Sequence, residues 1–159
     1  MVSYYDLESF MVELETLVKA NIQTYMTAAN TDKGDSLLGS FQADSYSVWN
    51  LSDIQPYPMS FLQFVSGDPQ VVNANPGYNH ALIYPIRLMC FIQDTGDGNI
   101  GKRKARMNRV LLLLAQEKIV PTYVNLSAGI TDMNSTILET EAGTTYEIAS
   151  IVFTASFAF

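Results

Sequence analysis

The C-terminal segment TYEIASIVFTASFAF constrains the fold most, because its hydrophobic residues recur at every second position. One side of an extended chain would carry the odd-numbered residues Ile151, Phe153, Ala155, Phe157 and Phe159. A period of two is typical of a strand with one buried face. The chain therefore needs a sheet in which one face is covered.

Two segments show helical periodicity instead. In the first, about residues 4–29, apolar residues recur at helical spacing, Ser3 and Asp6 resemble a capping box, and Asn30 and Gly34 are typical helix-ending residues. The second runs from about Lys102 to Glu117, and Pro121 is expected to stop it. Its apolar stripe consists of Met107, Val110, Leu111 and Leu114.

Three further strands are predicted between these helices. They lie near Tyr46–Leu51, at Met59–Val65 and at Ala81–Gln93. In the longest of them, Pro85 indicates a bulge or an unpaired edge, and Arg87 needs a polar partner.

The order of these elements favours an α+β fold, a mainly antiparallel sheet packed on one face by two helices, with long loops or a hairpin arm. We expect one domain over residues 1–159, with the N-terminal helix at 4–29, a long loop at 30–58, and the sheet with the second helix at 59–159. Of the 159 residues 48% are apolar and 16% charged, which excludes a disordered chain.

Few residues offer catalytic or metal chemistry. The single cysteine, Cys90, lies in the apolar run LMCFI and is expected to be buried, and the single histidine, His80, is expected at the surface or the start of a strand. No metal site, cofactor or catalytic residue is predicted. The N-terminus lacks the pattern of a secretory signal, and no apolar run is long enough for a membrane span.

Charge is distributed unevenly along the chain. Sixteen acidic and nine basic residues give a net charge of −7, which disfavours non-specific binding of nucleic acid by the whole chain. Five basic residues nevertheless occupy eight positions: Lys102, Arg103, Lys104, Arg106 and Arg109. Cations in the first turn of a helix oppose its dipole, so we expect a negative partner, either DNA phosphate or an acidic surface of a neighbouring subunit.

The segment GDGNIGKRK before this helix fits two nucleotide patterns in part. Gly96, Gly101 and Lys102 match the phosphate loop, but Arg103 stands where a magnesium-binding Ser or Thr belongs. The dinucleotide pattern lacks its acidic ribose partner in KIVPTYVN, and a calcium loop would place Lys104 at the position of the bidentate Glu. A strand-to-helix turn is the favoured interpretation.

Five features follow one another along the chain: a long N-terminal helix, a Pro-rich loop, an apolar strand, a second helix opening with Lys and Arg, and the terminal strand TTYEIASIVFTASFAF. In this order they resemble the tail-terminator and head–tail joining proteins of tailed bacteriophages. The resemblance covers about residues 4–159. It implies a non-enzymatic virion protein, assembled in the host cytoplasm, that forms a homo-oligomeric ring, commonly a hexamer, at the phage neck.

Such a ring would end the tail tube and join it to the head connector. The implied partners are tail tube and sheath proteins, connector proteins, and DNA in the lumen without sequence specificity. Loops 31–58 and 66–80 would be inter-subunit or inter-ring arms, with Tyr46, Trp49 and Tyr57 as anchors, although local packing explains these aromatics equally well. The basic residues from Lys102 to Arg109 would contact a subunit or DNA.

Three alternatives remain at this stage. The protein could occupy another place in the neck, as a stopper or a tail-completion protein. It could be a nucleotide-dependent enzyme that uses Gly96–Lys102, or a nucleic-acid-binding module that uses the basic helix start.

Overall fold

The computed structural model of the chain describes residues 2–4, 6–49, 57–73, 80–132, 135–139, 143 and 145–158. For residues 73, 127–132, 135–139 and 158, only the backbone is described. The first half contains α1 (Leu7–Lys33), a 3₁₀ turn (Ala43–Ser45), β1 (Tyr46–Val48), β2 (Met59–Val65), β3 (Gln70–Asn73) and β4 (His80–Gln93). The second half contains α2 (Ile100–Leu114), a π-helical turn (Ala115–Ile119), α3 (Val120–Thr122), β5 (Leu126–Asp132), β6 (Ser135–Glu139) and β7 (Thr145–Ala158).

The strands form one mixed sheet in which the long strands β4 and β7 are the central antiparallel pair. On one side of this pair, β2 and β3 both run along β4, and β1 adds to β2 in parallel. On the other side, β5 and β6 both run along β7. In the described parts of the chain, seven strand segments occupy five positions across the sheet, and the predicted α+β class is confirmed.

Both long helices cover the same face of the sheet. The main hydrophobic cluster joins α1, α2 and the residues of β4 and β7 that point toward them. From β4 it includes Ile86, Leu88, Cys90 and Ile92, and from β7 it includes Ala149, Ile151, Phe153, Ala155 and Phe157. The odd-numbered residues Ile151 to Phe157 all face the helices and are buried, as predicted, whereas Phe159 lies outside the described residues. The opposite face is not fully exposed, because Val152 is also buried and Thr154 and Ser156 are half-buried.

The helix boundaries differ from those predicted. Helix α1 begins later, because Asp6 is the N-cap and accepts a hydrogen bond from the backbone N–H of Ser9 at 2.7 Å, so the capping box with Ser3 is wrong. It also ends later, at the left-handed Gly34, whose N–H bonds to the carbonyl of Thr31 at 3.1 Å.

Pro121 does not end the second helical segment. After α2 the chain widens into the π-helical turn and continues as α3, where Pro121 lies in the first turn. Helical structure then ends at Thr122, one residue past Pro121, and Tyr123 is extended. The prediction that helical structure stops before Pro121 is therefore wrong.

Strand β4 confirms the predictions made for its unusual residues. Pro85 lies beside the gap between β2 and β3, where its carbonyl accepts a hydrogen bond from the backbone N–H of Ser66 at 2.9 Å. Arg87 finds a polar partner in the hydroxyl of Ser150, at 3.4 Å. The thiol of Cys90 is fully buried, which raises its pKa far above the usual range, and His80 is the exposed first residue of the strand.

Candidate functional site

The basic stretch of α2 lies against the C-terminal end of α1. The guanidinium of Arg106 holds the Asp35 carboxylate with both of its terminal nitrogens, and Nη2 lies 2.9 Å from Oδ2. One turn further along α2, Nη1 of Arg109 lies 2.7 Å from Oδ2 of Asp32. These ion pairs lock the two helices together where α1 ends.

Asn30 extends the same contact into the loop after α1. Its side-chain oxygen accepts from Nη1 of Arg106 at 2.9 Å and from the backbone N–H of Leu38 at 3.0 Å. Its amide group donates to the carbonyl of Leu38 at 2.8 Å. Since Leu38 is buried, Asn30 and Arg106 together fix the start of the long loop against the helices.

The glycine loop before α2 is a pair of turns closed by aspartates. Gly96 and Gly98 take positive φ angles of 77° and 73°. The carboxylate of Asp94 accepts from the N–H of Gly96 at 2.9 Å, and that of Asp97 accepts from the N–H of Asn99 at 3.0 Å. Asp97 also holds the guanidinium of Arg103, with Nη1 and Oδ1 2.8 Å apart.

The carboxylate of Asp97 lies beside the start of α2, where it accepts from the N–H of the N-cap residue Asn99. It neutralises Arg103, and its negative charge would repel a phosphate brought to the start of this helix. The side chain of Arg103 also bonds to the loop after α1, since its Nε donates to the carbonyl of Leu37 at 3.3 Å. This geometry favours the turn interpretation of GDGNIGKRK over the nucleotide alternative.

The two lysines of the basic stretch differ from each other. Nζ of Lys104 lies 2.8 Å from a carboxylate oxygen of Glu147, and both side chains are largely buried, so this pair ties α2 to β7. Lys102 is exposed and makes no ion pair with any described residue. Its charge nevertheless contributes to lowering the pKa of Asp35.

The acids of these pairs have lowered pKa values. Hydrogen bonding to Arg106, followed by the N–H of Leu37, lowers the pKa of Asp35 to about 2. The hydrogen bond from Arg103 holds the pKa of Asp97 far below its ordinary range, and Arg109 lowers the pKa of Asp32 in the same way. All three groups are therefore ionised at neutral pH, so the ion pairs are fully formed there.

Four of the five basic residues singled out in the sequence thus find acidic partners within their own chain. From the sequence we expected the negative partner on DNA or on another subunit, and the partners within the chain were missed: Asp32, Asp35, Asp97 and Glu147. A signal was present, since Arg103, Arg106 and Arg109 recur every third residue and Asp32 and Asp35 share that spacing. Of the five, Lys102 alone forms no ion pair with the residues that the structure describes.

The three aromatic residues proposed as anchors occupy different environments. Tyr46 is buried, its ring stacks on Phe61 with centroids 6.2 Å apart, and its hydroxyl donates to Oε1 of Gln63 at 2.6 Å. Tyr46 is therefore a core residue of its own chain rather than an anchor into a neighbour, which corrects the expectation drawn from the resemblance.

Trp49 and Tyr57 remain accessible. Trp49 follows β1 with 47% of its surface exposed and a φ angle of 75°, a left-handed conformation that is costly for a residue other than glycine. Tyr57 is half-buried and lines a cleft of about 260 Å³ together with Pro58, Gln93 and Arg103. The segment between them, residues 50–56, lies outside the described residues.

The chain has no recognised family and no standard metal site or membrane-spanning helix among its described residues. No protein-family model matches the sequence, and no curated protein matches it significantly. Within the described ranges, no group of three or more His, Cys, Asp or Glu side chains could hold a metal ion. None of the helices described is long and apolar enough to cross a membrane.

The Asp35–Arg106 pair gives a testable pH dependence. The pKa of Asp35 is about 2 in the folded protein, against an ordinary value of 3.8. The ionised carboxylate therefore contributes fully to the stability of the fold above pH 3.8, and this contribution is lost as the pH falls toward 2. Asp35→Asn should therefore be less stable than the wild type at pH 5, and the difference should shrink on acidification. Urea unfolding at pH 5, 4, 3 and 2.5 would measure it.

Asp44→Asn, on the exposed 3₁₀ turn, is the matched control, because it removes one charge without touching Arg106. A difference between Asp35→Asn and the wild type that stays constant from pH 5 to pH 2.5 would contradict the assignment.

Proposed function

We propose that this chain is a structural protein of the neck of a tailed bacteriophage, where it forms the ring that ends the tail tube and joins it to the head connector. The observation that carries the proposal is the architecture, with two long helices on one face of a mainly antiparallel sheet. This is the fold that the resemblance implies for such a protein.

The ion pairs that the basic residues form within the chain support a structural role. Arg103, Arg106 and Arg109 clamp the turn before α2, the end of α1 and the loop that follows it into one body. A ring built from repeated head-to-tail contacts needs a subunit that holds its shape, because small angular errors would prevent closure. These contacts supply such rigidity at the end of the subunit where the long loop begins.

Two exposed residues are the best remaining candidates for contacts between subunits. Lys102 carries the one cation of the basic stretch without an ion pair in the described part of the chain, and Trp49 offers a large ring beside the edge strand β1. The chain has a net charge of −7, so an acidic surface of the next subunit is available to Lys102. Trp is also the residue type most enriched among energetically dominant interface contacts.

The proposal is tested by assembly. Purified protein should be mixed with polymerised tail tube protein from the same genome and imaged by negative-stain electron microscopy, with light scattering of each component alone. We expect ring-shaped oligomers, and single caps at one end of the tubes. A protein that stays monomeric over the accessible concentration range and leaves both tube ends bare would refute the proposal.

Reversing the charge of Lys102 should weaken this assembly without weakening the fold. Lys102→Glu replaces an attraction to an acidic neighbour by a repulsion, and we expect the concentration for half-maximal ring formation to rise by a factor of about ten, or ~1.4 kcal/mol. Light scattering against concentration, beside a melting curve, would show the two effects separately.

Lys118→Glu makes the same change of charge on the exposed π-helical turn and serves as the control. Equal effects of Lys102→Glu and Lys118→Glu on assembly would indicate a general dependence on net charge and remove Lys102 from the interface.

A further inference from the structure

Strand β3 presents an open edge. It pairs with β4 through the register Val71 to Leu82 and Val72 to Ala81, and no described residue pairs with its other side. Val71 and Val72 lie on opposite faces of the strand and have 59% and 40% of their surfaces exposed. An open strand edge with exposed valines is a template for another strand, since the N–H and C=O groups along it have no strand partner among the described residues.

Val71 is the exposed end of an apolar row that crosses the sheet. Directly opposite residues of an antiparallel pair share a face, so Val71, Leu82 and Phe157 lie side by side on the face that carries the helices. Phe157 is buried, Leu82 is half-buried and Val71 is exposed. A strand added beyond β3 would continue this row if it placed an apolar residue beside Val71.

Two of the other sheet edges are less suited to a regular ladder. Strand β1 has three residues and is followed by the left-handed Trp49. The pairing of β5 with β7 shifts register twice, between Leu126 and Ile130 and again before Asp132. Irregular and very short edge strands resist pairing with another chain. Strand β6 keeps a regular register with β7, but it carries the charged Glu139, and charged residues on an edge strand oppose pairing with another chain. Within the described residues, β3 is therefore the edge that combines a regular ladder with an uncharged strand.

We propose that β3 of a second copy of this chain pairs with β3 in antiparallel fashion, about a twofold axis through Val71. Such an axis stands perpendicular to the sheet, so each residue of one strand lies opposite a residue of the other strand that belongs to the same face of the sheet. Val71 then faces Val71 of the second copy, and Gln70 faces Val72 of the second copy. The apolar row runs unbroken from Phe157 of one chain to Phe157 of the other.

The charge of the chain is compatible with this contact. Two copies with a net charge of −7 repel each other over most of their surface, but the residues of β3, QVVN, are uncharged. The nearest acid, Asp68, is three positions from the axis, so the two Asp68 residues are about 20 Å apart along the strands. This exceeds the screening length of about 8 Å at physiological salt.

This inference goes beyond the proposed function. A twofold contact joins two subunits symmetrically, whereas a ring is closed by head-to-tail contacts. The two proposals therefore fail independently, because the twofold contact predicts a dimer of the free protein whether or not it forms rings on a tube.

Disulfide trapping tests the contact and its register. Val71→Cys places two thiols directly across the axis, where mild oxidation should give a disulfide-linked dimer on a non-reducing gel. Val72→Cys should link to itself at least tenfold more slowly. The Cα atoms of residue 72 in the two copies would be about 8 Å apart, and a disulfide spans a Cα–Cα distance of at most about 7 Å. A mixture of Gln70→Cys with Val72→Cys should link. The native Cys90 is buried and gives little background.

Val12→Cys, at an exposed valine in the middle of α1, reports random collision. All these positions are partly or fully exposed, so folding can be confirmed by circular dichroism before oxidation. A Val71→Cys protein that links no faster than Val12→Cys would overturn the proposal. A Val72→Cys protein that links to itself faster than Val71→Cys would overturn it as well, since the axis would not pass through Val71.

Discussion

Phe10→Ala is expected to lower the free energy of unfolding by about 3–5 kcal/mol, the range found when a buried aromatic ring is deleted from a packed core. Phe10 is fully buried and lies at the centre of an aromatic cluster, with ring centroids 5.0 Å from Tyr123, 5.5 Å from Phe157 and 6.0 Å from Tyr4. The deletion leaves a cavity that these rings, each held by its own backbone, can fill only in part. Urea unfolding followed by tyrosine and tryptophan fluorescence would measure the loss.

Val12→Ala is the matched control, two residues along the same helix. Its side chain is 51% exposed, so the change should stay within about 1 kcal/mol. A similar loss for the two variants would mean that α1 does not pack against the sheet through Phe10.

Asn125→Ala should cost about 2–3 kcal/mol, because it leaves several partly buried polar groups without the partners they have in the fold. The side chain of Asn125 accepts from the N–H of Tyr4 at 2.8 Å and donates to the carbonyls of Tyr4 at 2.8 Å and Ser156 at 3.2 Å. It is thus the link between the N-terminal segment, the turn before β5 and the end of β7. Hydrogen exchange at residues 2–4 should accelerate more than exchange in α2.

Asn21→Ala provides the comparison, since the Asn21 side chain donates only to the carbonyl of Leu17, four residues earlier in the same helix, at 2.8 Å. We expect a change below about 1 kcal/mol there, partly offset by the higher helix propensity of alanine. If Asn125→Ala were no more harmful than Asn21→Ala, the long-range bonds of Asn125 would contribute little to stability.

The elements were predictable where one periodicity extends over many residues. The spacing in α1 and the alternation in β7 follow from the 3.6-residue turn of a helix and the two-residue repeat of a strand, and both were confirmed. Their ends were less predictable. Whether Ser3 or Asp6 caps α1 depends on where the preceding chain lies, and tertiary contacts place residues 2–4 beside residues 122–125.

The roles of single polar and aromatic residues were harder to predict, because they depend on distant partners. Gln63 has no special sequence context, yet it is fully buried, accepts from the hydroxyl of Tyr46 and donates to the carbonyl of Met11 at 2.8 Å. The exposure of Tyr46 or Trp49 could not be read from the Ser-rich loop around them. One ring packs on Phe61 and the other remains at the surface.

The sequence by itself determined the two periodicities, the α+β class and the burial of Cys90, since each follows from the local pattern of apolar side chains. Which acidic residues pair with the cations of α2 was decided only by the tertiary structure. Local sequence places five cations at the start of α2, but the packing of α2 on α1 brings Asp32 and Asp35 to them across more than seventy residues of chain. Coulomb interactions depend on distance in space, which a one-dimensional pattern does not contain.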